Sequence, residues 1–385
     1  GNVTSFIFSF TGGLLCLLGM ILLSRITDIN MIVAASVIGA ILHNIGQTIA
    51  AVFVMKTTAV RMYAANDLRM ESFELPAIKD DEILVKIVSD SICMSTHKCA
   101  SLGVKHKRVH EDVAEHPAIM GHEFAGVVVE SPDPILKGKV VVGELNEGCG
   151  KCIYCTTGRE KHCLSRKVIG MSKDGCFAEY MTLATHLIHP VPDGLPAEQA
   201  VFAEPLAAAL EILKQVHIDP SLNAAVIGDG RLSYMIAQIL SLTGISITVI
   251  GKHPDKLKLF EPFAETVLYG DYFDGDSFRA LTGEECFEYV VEASGNESGI
   301  QLALHIVRKM GTIILKSTYA GNTTLDMSLI PVGELTIVGS RCGPFEPALR
   351  LLNEQKVHFP EVELYDLKDH EAAFASKAFK AGFRI

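Results

Sequence analysis

Two apolar stretches open the chain before any regular alternation of polar and apolar residues sets in. Phe6–Leu23 holds 18 residues without a charge, and Met31–Met55 holds 25. A hydrocarbon core of about 30 Å takes roughly 20 helical residues to cross. Residues 1–54 are therefore expected to form two apolar membrane-spanning helices, with a pair of buried core helices as the alternative. From Met55 the pattern changes. "MKTTAVRMYAANDLRMESFELPAIKDDEILVKIVSDSIC" reads as amphipathic strands in pairs, and short strands with Gly and Pro turns continue to Glu204, which predicts a mostly β domain. Between Pro205 and Gly339, buried strand-like runs alternate with helix-length segments. "NAAVIGDG", "SITVIG", "FEYVVEASG", "GTIILKS" and "ELTIVGS" are those runs. That alternation predicts an α/β fold with a doubly wound parallel sheet.

Charge sharpens the division. Arg25 and Asp28 cancel within the first 55 residues, so the net charge of -11 belongs to the remainder. An acidic chain argues against a nucleic-acid partner, which needs a basic face. Lys56 and Arg61 follow the second apolar run, and the positive-inside tendency would leave the following part in the cytoplasm. Met55 itself reads as a second beginning. "GNVTSFIFSFTGGLLCLLGMILL" and "ASVIGAILHNIGQ" resemble bacterial integral-membrane proteins of the Gx transporter type, also labelled heptaprenyl diphosphate synthase component I. That likeness implies membrane association through residues 1–54 and no further function.

Four of the ten cysteines fall in "GCGKCIYCTTGREKHC", as Cys149, Cys152, Cys155 and Cys163. The other six are scattered, which suits a reducing compartment and makes the cluster a ligand set before a set of bridges. Four thiolates around Zn²⁺ form a closed structural site with no position open for chemistry.

"GDGRLS" follows a strand and opens a helix, the context in which glycines let a dinucleotide pyrophosphate approach backbone N–H groups. Gly228, Gly230 and Leu232 are its candidate cofactor contacts, and Ser233 stands where a third glycine is usual. After the next strand, NAD sites place an Asp or Glu for the ribose 2′-hydroxyl. This chain has Gly251, Lys252 and His253 there. Lys252 and His253 could pair with a 2′-phosphate, so the turn points to NADP ahead of NAD.

Cys93 in "DSICMSTHK", His122 and Glu123 in "MGHEFAG" and Glu204 in "EPLAAALEI" each have an ordinary reading alone. They read as a small core hydrophobe, a satisfied polar group and surface charges. Taken in order with the cysteine lobe and the glycine turn, residues 55–385 resemble the zinc-dependent medium-chain dehydrogenase/reductase family. Alcohol, sorbitol and threonine dehydrogenases belong to it. The resemblance implies a GroES-like catalytic domain over 55–204, a Rossmann domain over 205–340 and a return to the catalytic domain over 341–385. It also implies a catalytic zinc on Cys93, His122 and Glu204, with Glu123 near or on the metal, and a structural zinc on the four cysteines. Ser95 matches the hydroxyl that relays a proton from the substrate. The implied activity is reversible oxidation of a secondary alcohol, sugar alcohol or sugar phosphate to a ketone with NADP or NAD, in a homodimer or homotetramer. Thr96 and Lys98 depart from the family's usual Asp and relay His. Two rivals are a zinc-free quinone or enone reductase and a catalytically silent, membrane-tethered protein that binds zinc and nucleotide.

Overall fold

Alternation in the sequence becomes an antiparallel hairpin of β1 (Lys56–Ala64) and β2 (Asp67–Glu74). β3 (Glu82–Ser91) follows, with Ile83, Val85 and Ile87 fully enclosed on its apolar face. The short β4 (Ala118–Ile119) pairs with β1, while β5 (Glu123–Glu130) pairs with both β3 and β6 (Val140–Gly143). β7 (Asn146–Glu147) and β8 (Lys167–Val168) pair with each other and bracket the four-cysteine stretch. β9 (Tyr180–Ala184) then returns to β3, and β10 (Ile188–Pro190) to β6. The structure is a computed structural model and describes residues 10, 13–18, 21, 40–43, 56–75, 78–106, 108–269, 286–319 and 321–385.

The second sheet has six parallel strands. They are β11 (Asn223–Ile227), β12 (Ser246–Gly251), β13 (Glu265–Leu268), β14 (Phe287–Glu292), β15 (Val307–Leu315) and β16 (Thr336–Gly339). Their spatial order is β13-β12-β11-β14-β15-β16. The order reverses between β11 and β14, and at such a switch point the carboxyl ends of the strands part to leave a ligand crevice. Ala224, Ala225, Val226, Val290 and Val291 are fully buried, as expected where helices cover both faces of a parallel sheet. The helices Ala203–Gln215 and Arg231–Ser241 supply Leu206, Ile212, Met235, Ile236 and Leu240 to that core. β17 (Glu363–Asp366) and β18 (Ala381–Arg384) then leave it, and β18 pairs with β3 of the first sheet.

The expectation of two membrane-spanning helices is not met among the described residues, where no helix is long and apolar enough to cross a membrane. Most of the runs 6–23 and 31–55 lies outside the described residues.

Close backbone packing fixes the segment that leads into β5. A Cβ on Gly175 would lie 2.1 Å from the Gly121 carbonyl oxygen and 2.5 Å from that of Met120. The Gly175 N–H donates to the Ile119 carbonyl at 2.8 Å, and the Cys176 N–H to that of Gly121 at 3.1 Å. Only a residue without a side chain lets the two segments approach so nearly. Gly175→Ala is therefore expected to lower the unfolding free energy by ~1–3 kcal/mol, read from urea denaturation. An unchanged midpoint would mean that the neighbouring segment yields at no cost.

Candidate functional site

β3 and β5 lie side by side with Ser91 opposite Glu123. That register carries Cys93, at the start of the helix Met94–Leu102, next to His122 at the start of β5. The Cys93 sulfur, a His122 ring nitrogen and a Glu123 carboxylate oxygen all lie within 4.8 Å of one another. Thiolate, imidazole and carboxylate together form a donor set suited to zinc. Glu123 Oε2 accepts from Ser91 Oγ at 2.6 Å and pairs with Lys380 Nζ at 2.5 Å. Its Oε1 is buried and has no hydrogen-bond partner. A buried carboxylate oxygen left without a donor fits a cation at the centre of the trio.

The charges around the trio agree with that fit. Burial would raise the Glu123 carboxyl, but Lys380 and then His122 outweigh it and hold the pKa below the ordinary carboxylate value. Burial pushes the Cys93 thiol up, and the Glu123 charge adds to the rise. A cation bound beside it would favour the thiolate instead. Ser95 Oγ donates to Cys93 Sγ at 3.3 Å. Thr96 Oγ1 lies 3.5 Å from His122 Nδ1, whereas Lys98 is exposed.

Glu204 stands at the start of the helix Ala203–Gln215 and does not join the mutual group of three. Burial pushes its carboxyl up to about 7, against the pull of His122. Glu123 completes the group within 4.8 Å, and Glu204 stands near enough for the charges of His122, Glu123 and Cys93 to act on its carboxyl. Lys380 escaped the sequence reading, and its one signal there was a lysine inside the apolar run "AFKAGF".

In the cysteine lobe the four sulfurs of Cys149, Cys152, Cys155 and Cys163 lie within 4.8 Å of one another, and none is in a disulfide. The backbone N–H groups of Lys151 and Cys152 pull the Cys149 thiol down to about 6. Burial, and then Cys152, push Cys155 up to about 12. Four thiols within reach of one centre form the donor set of a closed tetrahedral zinc site. Gly148 N–H donates to Glu160 Oε1 at 2.6 Å inside the lobe, and Lys161 Nζ reaches Glu211 at 2.5 Å in the helix Ala203–Gln215.

A crevice of about 220 Å³ opens at the switch point of the second sheet, lined by Gly228, Asp229, Gly230, Lys252, His253 and Tyr269 among others. Gly228 has φ +119, and a Cβ there would press on Ser233 Oγ at 3.0 Å and Ala293 O at 3.1 Å. Nothing lies within 4 Å of where a Cβ on Gly230 would be, so the mouth of the helix Arg231–Ser241 is clear for a ligand. Leu232 packs against the core and does not line the crevice. Arg231 bridges the turn and the trio: its guanidinium donates to the carbonyls of Ile92 at 3.1 Å and Ala378 at 3.4 Å. Asp229, which the sequence reading passed over, reaches the residues after β12. Its Oδ2 accepts from Lys252 N–H at 2.7 Å and from His253 N–H at 2.8 Å.

Removing the Lys380 charge tests the electrostatics of the trio. Lys380 and Glu123 are 2% and 1% exposed, so Lys380→Met strands a buried carboxylate and is expected to cost about 3–5 kcal/mol at pH 7. The folded-state pKa of Glu123 is depressed, so the pair's stabilisation is complete above the ordinary value of 4.5. It disappears as pH falls through the folded value. The difference between wild type and variant, measured by urea unfolding of chelator-treated protein, should therefore narrow on acidification. A difference independent of pH would contradict this account.

Residues 79–193 match the model of the alcohol dehydrogenase GroES-like domain, and residues 232–354 that of the zinc-binding dehydrogenases. Residues 1–65 match heptaprenyl diphosphate synthase component I. The chain is 30% identical over 305 residues to the erythritol/L-threitol dehydrogenase of Mycolicibacterium smegmatis, covering 75% of this chain and 84% of that protein. It is 27% identical over 343 residues to D-arabinitol dehydrogenase 1 of Uromyces fabae, covering 85% and 96%. The solved structure of L-idonate 5-dehydrogenase from Escherichia coli shares the fold, with TM-score 0.77 at 22% identity over 86% of this chain and 99% of that one. A cation trio, a thiol lobe and a switch-point crevice in this order along the chain, matched by both halves of the family and by a relative at 30% identity, mean that the chain belongs to the zinc-dependent medium-chain dehydrogenase/reductase family.

Proposed function

We propose that this chain catalyses the reversible oxidation of a secondary hydroxyl on a polyol or sugar-derived alcohol, with a nicotinamide dinucleotide as hydride acceptor. The observation that carries the reading is Arg231. It follows the glycine turn and donates to the Ile92 carbonyl, one residue before Cys93, so one hydrogen bond ties the nucleotide turn to the segment that carries the cation trio. In this reading residues 55–204 and 341–385 form the catalytic part, and 205–340 the nucleotide part. The substrate class follows the relatives, whose names include erythritol, L-threitol and D-arabinitol.

Cys93 and His122 would hold a zinc ion together with Glu123 or Glu204, and when bound it supplies Lewis acidity toward a substrate hydroxyl. The remaining work falls to the chain. Ser95, whose hydroxyl lies 3.3 Å from Cys93 Sγ, takes the substrate's proton and passes it toward solvent or the cofactor ribose. Thr96 steadies the His122 ring at Nδ1, with a neutral hydroxyl in place of a carboxylate. Lys380 and Ser91 hold Glu123 Oε2 and leave Oε1 without a hydrogen-bond partner, as the oxygen that would serve a bound cation. Gly228 and Gly230 admit the dinucleotide pyrophosphate to the N-terminus of the helix Arg231–Ser241, where unpaired N–H groups favour an anion. The four cysteines would hold a second zinc with a purely structural role.

Metal analysis of the full chain should find two zinc ions. Cys93→Ala and His122→Ala should each leave one and abolish dinucleotide-linked oxidation of erythritol, arabinitol and sorbitol. Cys152→Ser should remove the other zinc and destabilise the fold. Ser95→Ala should keep both metals and lower kcat by ~10²–10⁴-fold. Undiminished activity in Cys93→Ala would overturn the proposal.

A further inference from the structure

We propose that Asp229 replaces the missing acid at the adenosine ribose, so that the nucleotide site selects NAD(H) over NADP(H). The proposal rests on reading the switch-point crevice as the dinucleotide site. In an NAD site the selecting carboxylate directly follows the second strand and accepts from the ribose 2′-hydroxyl. β12 is followed instead by Lys252 and His253, which by themselves read as a 2′-phosphate site.

The fold brings a carboxylate to that spot from the preceding turn. Asp229 Oδ2 accepts three hydrogen bonds at the tip of β12: from Lys252 N–H at 2.7 Å, His253 N–H at 2.8 Å and His253 Nδ1 at 2.8 Å. Two successive backbone N–H groups and an imidazole N–H form an anion nest. A 2′-phosphate would need those donors, and the chain's own carboxylate already holds them. Gly251 makes room for this arrangement, since a Cβ there would lie 2.7 Å from Asp229 Cβ and 2.8 Å from Oδ2. The other oxygen, Oδ1, has Lys256 Nζ at 4.0 Å, and Asp229 lines the crevice, so Oδ1 is the oxygen left to accept from a ribose hydroxyl.

The balance of charge points the same way. The Asp229 side chain is 10% exposed, and Lys256 is 53% exposed. Lys252 lies over the Tyr269 ring at 5.5 Å. Solvent and salt screen an exposed lysine far more than a buried carboxylate. The carboxylate's field therefore dominates at the nest and repels a second phosphate. Asp229 also stays ionised: burial opposes its charge, but the His253 side chain and the two backbone donors outweigh burial and hold its pKa below the ordinary value.

The test is calorimetric titration of the full-length, zinc-loaded protein with NADH and with NADPH. Wild type should bind NADH at least ~10-fold more tightly than NADPH, the size of one charge-assisted hydrogen bond. Asp229→Asn keeps the shape and removes the charge. It should weaken NADH and tighten NADPH, shifting the ratio by ~100-fold in all. Tighter NADPH binding by wild type would overturn the proposal whether or not the variant folds, and so would an unaltered ratio in Asp229→Asn. Binding of neither dinucleotide by wild type would instead remove the nucleotide-site reading itself.

Discussion

The ion pair between Lys380 and Glu123 joins the end of the chain to β5. Both side chains are buried, so each charge has given up its hydration, and the contact at 2.5 Å together with the Ser91 hydroxyl must make good that loss. Phe383 N–H donates to the buried Asp90 at 2.8 Å beside it, and β18 pairs with β3. These contacts require the last segment to leave the parallel sheet and close on the first. They also fix which oxygen of Glu123 is engaged by the protein and which has no hydrogen-bond partner. A fold held in this way presents Cys93, His122 and Glu123 with little freedom to rearrange, which is the condition for a preorganised metal site.

Two further cross-links tie the halves together at the places where chemistry would need alignment. Arg231 reaches from the glycine turn to the carbonyls of Ile92 and Ala378, and burial lowers its guanidinium pKa without removing its charge. Lys161 reaches from the cysteine lobe to Glu211 and to the carbonyl of Arg341. Polar struts of this kind restrict how far the segments they join can shift against each other. The lobe is thus more than a stabiliser of its own loop, because its position is registered against the helix that carries Glu204.

The parallel sheet was legible because its strands are continuous apolar runs separated by helix-length segments. That pattern follows from burial on both faces and survives without knowledge of the partners. The thiol cluster was legible for a similar reason: its ligands are close in sequence, so the spacing alone brings them within reach of one ion. Ser95 and Thr96 lie beside Cys93 and could be read with it. The apolar start of the chain was legible as composition, and most of it lies outside the described residues. The spanning helices expected there have no counterpart among the described residues.

Local order in the chain by itself determined the two sheet types, the four-thiol lobe, the glycine turn and the identity of the residues able to bind a metal. Only the tertiary structure decided which of them meet. Glu123 joins Cys93 and His122 because the register of β3 against β5 sets it beside them, and the start of the helix Ala203–Gln215 brings Glu204 within range of the same charges. Lys380 and Asp229 acquired their parts through contacts between segments that the sequence leaves apart. Spacing predicts side-chain meetings within one turn or one loop. Meetings between distant strands depend on sheet order and close backbone packing, which arise only when the whole chain buries its apolar faces together.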